Sequence, residues 1–309
     1  MIKRFLQYIF KITRDYEGRK IVILFGKTFI INQNGYELKQ IKAFLELSTD
    51  ITKLPKATGI PRLIQKANVI LLKHITDLCE ENDLVYWINY GTLLGAVRHG
   101  GFIPWDDDLD ICMPRDDWEK LIKILDEKFK DTQYYYNVSD CLRVYYRNTP
   151  LQLDIFPLDY YYKHIETQEE VDHLFDKINK AKTHLKYYVE KDNIFDIKLN
   201  KSYEELRKLH NDIVMENKPA IKPASLIRAF ETRVWHLSYY PYDWIFPLQK
   251  IEFEGEMFYA PNKISTVLYE NYGDYMQFPK TLTHQHKNIQ EKITPNTIAF
   301  LEDYIKEAK

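Results

Sequence analysis

The sequence predicts an α+β fold: a mixed sheet with helices packed over it, preceded by an N-terminal extension. Three observations carry this. In the middle of the chain, residues 86–88, 105–113 and 151–157 are short alternating or apolar runs of the kind that form strands. Residues 61–80 and several Lys/Glu-dense stretches repeat apolar side chains at three and four, the helical period. Leu54-Pro55 through Gly59-Ile60-Pro61 is the clearest breaker cluster of the first third, so the chain divides into an extension, residues 1–60, and a core, residues 61–309.

In the extension, Ile2, Phe5, Leu6, Ile9 and Phe10 share one helical side with Lys3, Arg4, Lys11 and Arg14 around it. This spacing predicts a basic amphipathic helix over residues 1–14, suited to an anionic membrane surface or to packing on a domain or a second subunit. Residues 21–31 are β-rich and lead to Asn34-Gly35, so a hairpin is expected. In the core, the helix over 61–80 delivers the chain to a strand ending at Asn89. A short helix over 93–98 follows, and another over 118–129 with Asp116 or Asp117 as its cap. Strands are expected at 134–138 and 142–146. Arg143 and Arg147 share a strand face there, available to a phosphate or to nearby acids. Residues 168–191, 202–216 and 223–240 read as a helical cover, 251–259 as a hairpin, and 293–309 as a terminal helix.

A formal net charge of -2 over 309 residues gives no electrostatic footprint for nucleic acid. Cys79, Cys112 and Cys141 are odd in number and lack metal-type spacing, which fits small core residues in a reducing compartment. No apolar run reaches the roughly 20 residues that span a bilayer, and no secretory leader is evident, so a cytoplasmic location is expected.

The costliest stretch is Trp105-Asp106-Asp107-Asp108-Leu109-Asp110-Ile111, with four aspartates in five positions. In a strand, Asp106, Asp108 and Asp110 would share one face, where carboxylates repel and raise one another's pKa unless something positive sits among them. Mg²⁺ or Mn²⁺ is the simplest candidate, since hard cations take carboxylate oxygens. A solvated turn is the alternative, and the interleaved Leu109, Ile111 and Met113 argue against it. An EF-hand loop fails: counted from Asp106, its glycine position is Ile111 and its final glutamate position is Asp117. Asp154, alone in an apolar strand, is either the third metal ligand beside Asp108 and Asp110 or a buried turn cap. Gly91-Thr92 at a helix start allows close approach to a phosphate. Arg98 can meet that phosphate or pair with the aspartates, and Lys263 is either a phosphate partner or an exposed lysine. His284 and His286 are two apart without an acid or cysteine in register, so zinc is not predicted. The 24 tyrosines could include an aromatic cage for a quaternary ammonium, which spacing cannot locate.

Gly91-Thr92, Asp108-Leu109-Asp110 and Asp154 resemble the pattern of the nucleotidyltransferase fold, and YGTLLGAVRHGGFIPWDDDLDICMPR with LDIFPLD is similar to the LicD family of phosphotransferases, which includes the fukutin-related proteins. The likeness continues more loosely through Tyr272-Gly273-Asp274. The sixteen positions between Thr92 and Asp108 are long for a generic nucleotidyltransferase turn and typical of LicD, whereas His284-Gln285-His286 departs from the adjacent histidines of many relatives. The resemblance implies Mg²⁺ or Mn²⁺ on Asp108, Asp110 and Asp154, with Asp154 or Asp106 as base. It also implies a CDP-linked alcohol donor and phosphocholine or a related group moved to a glycan such as lipopolysaccharide or teichoic acid, releasing CMP. A lipid-linked acceptor would favour membrane contact through residues 1–14, at the inner face. Two rivals remain at this stage: a nucleotide-sugar glycosyltransferase with an Asp-x-Asp metal site, and an interaction protein that retains the fold without turnover.

Overall fold

A computed structural model describes residues 10–14, 20–24, 27–31, 43–138, 141–191, 208, 212, 223–228, 238–278 and 293–308. The chain forms two compact units, residues 1–54 with 276–280, and residues 55–275 with 281–309. The first holds a three-stranded antiparallel sheet of β1 (Phe10–Arg14), β2 (Lys20–Leu24) and β3 (Lys27–Ile31), then a helical turn over residues 43–48. The helix expected over 1–14 is therefore replaced at 10–14 by a strand, with Phe10 opposite Leu24 and Arg14 opposite Lys20. Phe10, Ile12 and Arg14 alternate with Lys11 and Thr13, a period of two that pairing with β2 selects over the helical one. Residues 1–9 lie outside the described residues. A hairpin is present as β2–β3, turning between Leu24 and Lys27, and the Asn34-Gly35 turn signal lies outside the described residues.

The second unit is α+β. In chain order it contains α1 (Gly59–Glu81), β4 (Trp87–Ile88), α2 (Tyr90–His99), β5 (Asp110–Pro114), α3 (Arg115–Lys128), β6 (Tyr134–Val138), β7 (Leu142–Tyr146), β8 (Gln152–Tyr161) and α4 (Gln168–Lys191). After these come β9 (Ser225–Arg228), β10 (Ser238–Pro241), α5 (Tyr242–Ile245), the hairpin β11 (Gln249–Phe253) and β12 (Glu256–Ala260), α6 (Ile264–Tyr272) and α7 (Pro295–Glu307). The seven-stranded sheet runs β10-β9-β8-β5-β4, with β7 also on β8 and β6 on β7. β5 and β8 are parallel, and the other described pairs of this sheet are antiparallel.

β8 is the axis of this sheet. On one edge it pairs with β5 along Asp110↔Asp154 to Pro114↔Leu158. On the other it pairs first with β7, through Ile155, and then with β9, from Asp159 onward. Pro157, which has no N–H to donate, falls in the gap where that edge changes partner. Ile111, Leu153, Ile155, Leu142 and Val144 are fully buried in the core with Ile64, Ala67, Leu71 and Ile75 of α1 and Trp118 of α3. Trp118 Nε1 donates to the Ile155 carbonyl at 3.0 Å, and Arg115 pairs with Asp159 beneath the sheet. Among the described residues no helix is long and apolar enough to cross a membrane.

Three expectations are corrected here. The strand predicted over 105–113 begins only at Asp110, because the preceding acids lie in an irregular loop held by side chains of α1. The helix predicted over 223–240 gives way to strands at both ends, since Ser225–Arg228 finds an open edge on β8 and Ser238–Pro241 pairs with it. Asp116 and Asp117 do not cap α3 but lie in its first turn, which starts after Pro114. Most of residues 202–216 lies outside the described residues.

The hairpin β11–β12 turns through Glu254 and Gly255 at φ 55° and 90°, the two-residue geometry that suits twisted strands. Glu254 then clasps the turn after α2: its N–H donates to the Gly100 carbonyl, and its carboxylate accepts from Phe102 N at 3.1 Å, Lys56 Nζ at 3.0 Å and Arg62 Nη2 at 2.6 Å. Gly101 must be bare, because a Cβ there would lie 2.2 Å from Glu254 Oε1. Burial pushes the Glu254 carboxyl up, and its hydrogen bonds from Arg62, Lys56 and Phe102 overcome this and hold it below the usual glutamate value of 4.5. An acid held low stabilises the fold above its unfolded pKa and loses that contribution as pH falls through the folded one. Glu254→Gln is expected to lower unfolding free energy by about 2–3 kcal/mol at pH 7. In urea titrations the gap from the parent should close as pH falls below about 4.5.

Candidate active site

The parallel register of β5 and β8 sets Asp110 beside Asp154 on the acid-bearing face of the sheet. Asp110 is fixed from three sides: its N–H donates to Thr92 Oγ1 at 2.7 Å, its carbonyl accepts from Asn89 N, and Oδ2 accepts from Gly91 N at 3.1 Å. Asp154 is 7% exposed and accepts from Gln152 Nε2 at 2.8 Å and Arg143 Nε at 3.1 Å. Arg143 stands opposite it on β7. Gly91 matters for closeness: a Cβ there would lie 3.0 Å from Asp106 Oδ2 and 3.3 Å from Asp110 Oδ2, so two carboxylates converge over a bare Cα.

Asp106, Asp107 and Asp108 approach from the loop before β5, each offering an oxygen within 4.8 Å of the others. No ladder holds that loop. Gln65 Nε2 of α1 donates to the Asp106 carbonyl at 2.7 Å, and Asn68 Nδ2 donates to the Asp107 carbonyl at 2.6 Å. Asn68 Oδ1 also accepts the Gln152 N–H at 3.1 Å, so one buried amide joins the acid loop to the strand that carries Asp154.

The electrostatics follow from crowding. Burial and then Asp108 push the Asp106 carboxyl well up. Burial, Asp108, Asp154 and Asp106 do the same to Asp110. Asp154 is raised by burial, and Arg143 and Gln152 offset only part of that. The Tyr272 hydroxyl is raised by burial, Asp110 and Asp106, which places it in the same field, although its ring is 44% exposed. Such a cluster suits a bound cation, and its all-oxygen donor set fits a hard divalent ion.

The expected site residues divide. Asp106, Asp108, Asp110 and Asp154 come together with Gly91, Thr92 and Arg143, though Asp106 and Asp108 arrive from a loop rather than a strand. Gly91 N–H donates to Asp110 Oδ2, and Thr92 Oγ1 accepts from the Asp110 N–H. Arg98 is buried near Asp106 and Tyr272, but its hydrogen bonds go to the Tyr275 carbonyl and to His99, whose pKa burial and Arg98 lower to about 4. Lys263 pairs with Asp243 at 2.5 Å, and Arg147 lies over the Tyr135 ring. His284 and His286 lie outside the described residues. Asp107, Gln65, Asn68 and Gln152 were missed. The legible sign was Gln65 and Asn68, two amides three apart interrupting the apolar face of a helix. Asn68→Ala orphans a carbonyl and an N–H and is expected to cost about 2–4 kcal/mol in urea unfolding. It should also speed hydrogen exchange at the Gln152 amide, whereas exchange at the Trp118 amide tracks global stability alone.

Residues 83–197 match the family model described as "LicD/FKTN/FKRP, nucleotidyltransferase domain". Over 251 residues the chain is 28% identical to "Lipopolysaccharide cholinephosphotransferase LicD" of Haemophilus influenzae, covering 72% of this chain and 93% of that protein. It is 39% identical to an uncharacterized Rickettsia prowazekii protein over 164 residues, 48% of this chain and 59% of the relative. A shorter match, 44% over 39 residues, joins it to human "Ribitol 5-phosphate transferase FKRP", 13% of this chain and 8% of that one. Residues 83–197 are thus similar to the nucleotidyltransferase domain of the LicD/FKTN/FKRP family.

Proposed function

We propose that the protein is a metal-dependent phosphotransferase that moves phosphocholine or a related phospho-alcohol from a CDP-linked donor to a sugar hydroxyl of a cell-surface glycan. CMP leaves. The carrying observation is the convergence of Asp106, Asp108, Asp110 and Asp154, a set of oxygens that repel one another where they stand. The two relatives whose names state an activity transfer a phosphocholine and a ribitol phosphate, which supports a phospho-alcohol as the group moved.

Asp108, Asp110 and Asp154 would hold Mg²⁺ or Mn²⁺, which when bound neutralises charge on the donor's diphosphate. The chain's own residues do the rest. Gly91 and Thr92 fix Asp110, and Gln152 and Arg143 fix Asp154, so the ligand oxygens need not reorganise during reaction. A carboxylate oxygen of Asp106 or Asp154 takes the proton of the sugar hydroxyl while the sugar oxygen attacks the phosphorus of the phospho-alcohol group and the P–O bond to CMP breaks. Arg143, bonded to Asp154, would bring a positive charge beside the ligand oxygens. Ile2, Phe5 and Leu6 among Lys3 and Arg4 support placing the reaction in the cytoplasm against the inner membrane face, where a lipid-linked acceptor would be presented.

The test is CMP release from CDP-choline, CDP-glycerol and CDP-ribitol with and without Mg²⁺. Release that requires Mg²⁺ and falls about 10³-fold in Asp108→Ala is the expected result. Silence across the panel with turnover of a UDP- or GDP-sugar would assign the site to glycosyl transfer instead.

A further inference from the structure

Arg228 closes β9 and is 6% exposed. Its guanidinium carbon lies 4.0 Å from the centre of the Phe156 ring and 5.5 Å from that of Tyr90. Nη1 reaches the Tyr90 hydroxyl at 3.4 Å, and Nε is buried without an acceptor. Among the described residues no carboxylate pairs with it. The other strongly buried arginines differ: Arg115 pairs with Asp159, and Arg98 is bonded to the Tyr275 carbonyl and His99. Among the described residues, two ring faces and one long hydrogen bond leave Nε without an acceptor, in a place where desolvating the charge is costly.

The location gives this cation its meaning. Phe156 is two residues beyond Asp154 on β8, hence on the same face of the sheet, and about 7 Å along it. Tyr90 directly precedes Gly91, whose N–H holds Asp110. Tyr90 is only partly buried, so the Arg228–Tyr90 pair has an edge toward solvent. A planar donor fork thus lies over Phe156 on the strand that carries Asp154, with no carboxylate paired to it among the described residues. An anion bridging a metal on the acids and this fork would satisfy both.

We propose that Arg228 is an anion-binding residue of the active site, taking phosphate oxygens of a nucleoside diphosphate through its Nη groups. This rests on the phosphotransferase reading of the same site. The probes are CDP, UDP and inorganic pyrophosphate, titrated calorimetrically with Mg²⁺ into the full-length chain, its Arg228→Met and its Arg228→Lys. Binding of Mn²⁺ and the melting temperature are followed in parallel. Arg228→Met replaces an uncompensated charge by a flexible apolar chain on two rings, so it is expected to melt no lower than the parent while binding CDP about 30-fold more weakly with Mn²⁺ affinity unchanged. Arg228→Lys, which keeps charge but loses the fork, is expected to lose about 10-fold, and it decides the matter if the Met variant does not fold. Unchanged CDP affinity in the folded variants overturns the proposal and leaves the phosphotransferase reading standing. Arg228-dependent binding of UDP or pyrophosphate without CDP supports the anion role and removes the cytidine donor. Failure of the parent to bind any of the three overturns it.

Discussion

Mutual repulsion among carboxylates is the constraint on which this structure depends. Asp106, Asp108, Asp110 and Asp154 are brought together in a largely enclosed place where the Asp108 charge raises the cost of ionising Asp106, Asp110 and Asp154. Nothing in their own chemistry draws them there. The fold supplies the force: the β5–β8 register fixes one pair, the Gly91 N–H and the Thr92 hydroxyl fix Asp110, and α1 grips the loop that brings the others. Core packing of α1 against the sheet is thereby coupled to site geometry, because the helix that buries Ile64, Ala67 and Leu71 also presents Gln65 and Asn68.

A second clamp works on the other end of the acid loop. α2 ends at Gly100 in the left-handed conformation, and the Gly101 N–H returns to the Gly95 carbonyl. Gly95 allows this close return, since a Cβ on it would lie 2.4 Å from the Gly101 carbonyl oxygen. Glu254 then locks the turn from a hairpin more than 150 residues away. The acid loop is short of regular structure and yet tied at Gly100–Phe102, at Asp106 and at Asp107. Precision of this kind is what a pre-organised site requires.

The acid motif and the mixed sheet were legible because they are local: alternation, apolar runs and a rare cluster of aspartates survive in one dimension. What was not legible depends on pairing across distance. Residues 105–109 carry strand-like alternation, but the Asp106 and Asp107 carbonyls are taken by two side-chain amides of α1 and contact with β8 begins at the Leu109 carbonyl, so the strand starts late. Ser225–Arg228 belongs to β8 only because that strand has an edge left open after Pro157, and the flanking helical spacing gave no hint of it. Gly91 and Thr92 were recognised as special, and their bonds to Asp110 needed coordinates. Phe10–Arg14 fits two periods, and the neighbouring strand chose between them.

The change of partner along β8 has a consequence for how such a domain can diversify. The first half of the strand, with β5 and β7, carries the acids, and the second half, with β9, carries Arg228 over Phe156. After Tyr161 the described chain leaves the sheet through α4 and rejoins it at Ser225, so changes in length between those two points leave the register on either side intact. The sheet acts as a chassis with one removable panel, and the charged face stays in place when that panel is rebuilt.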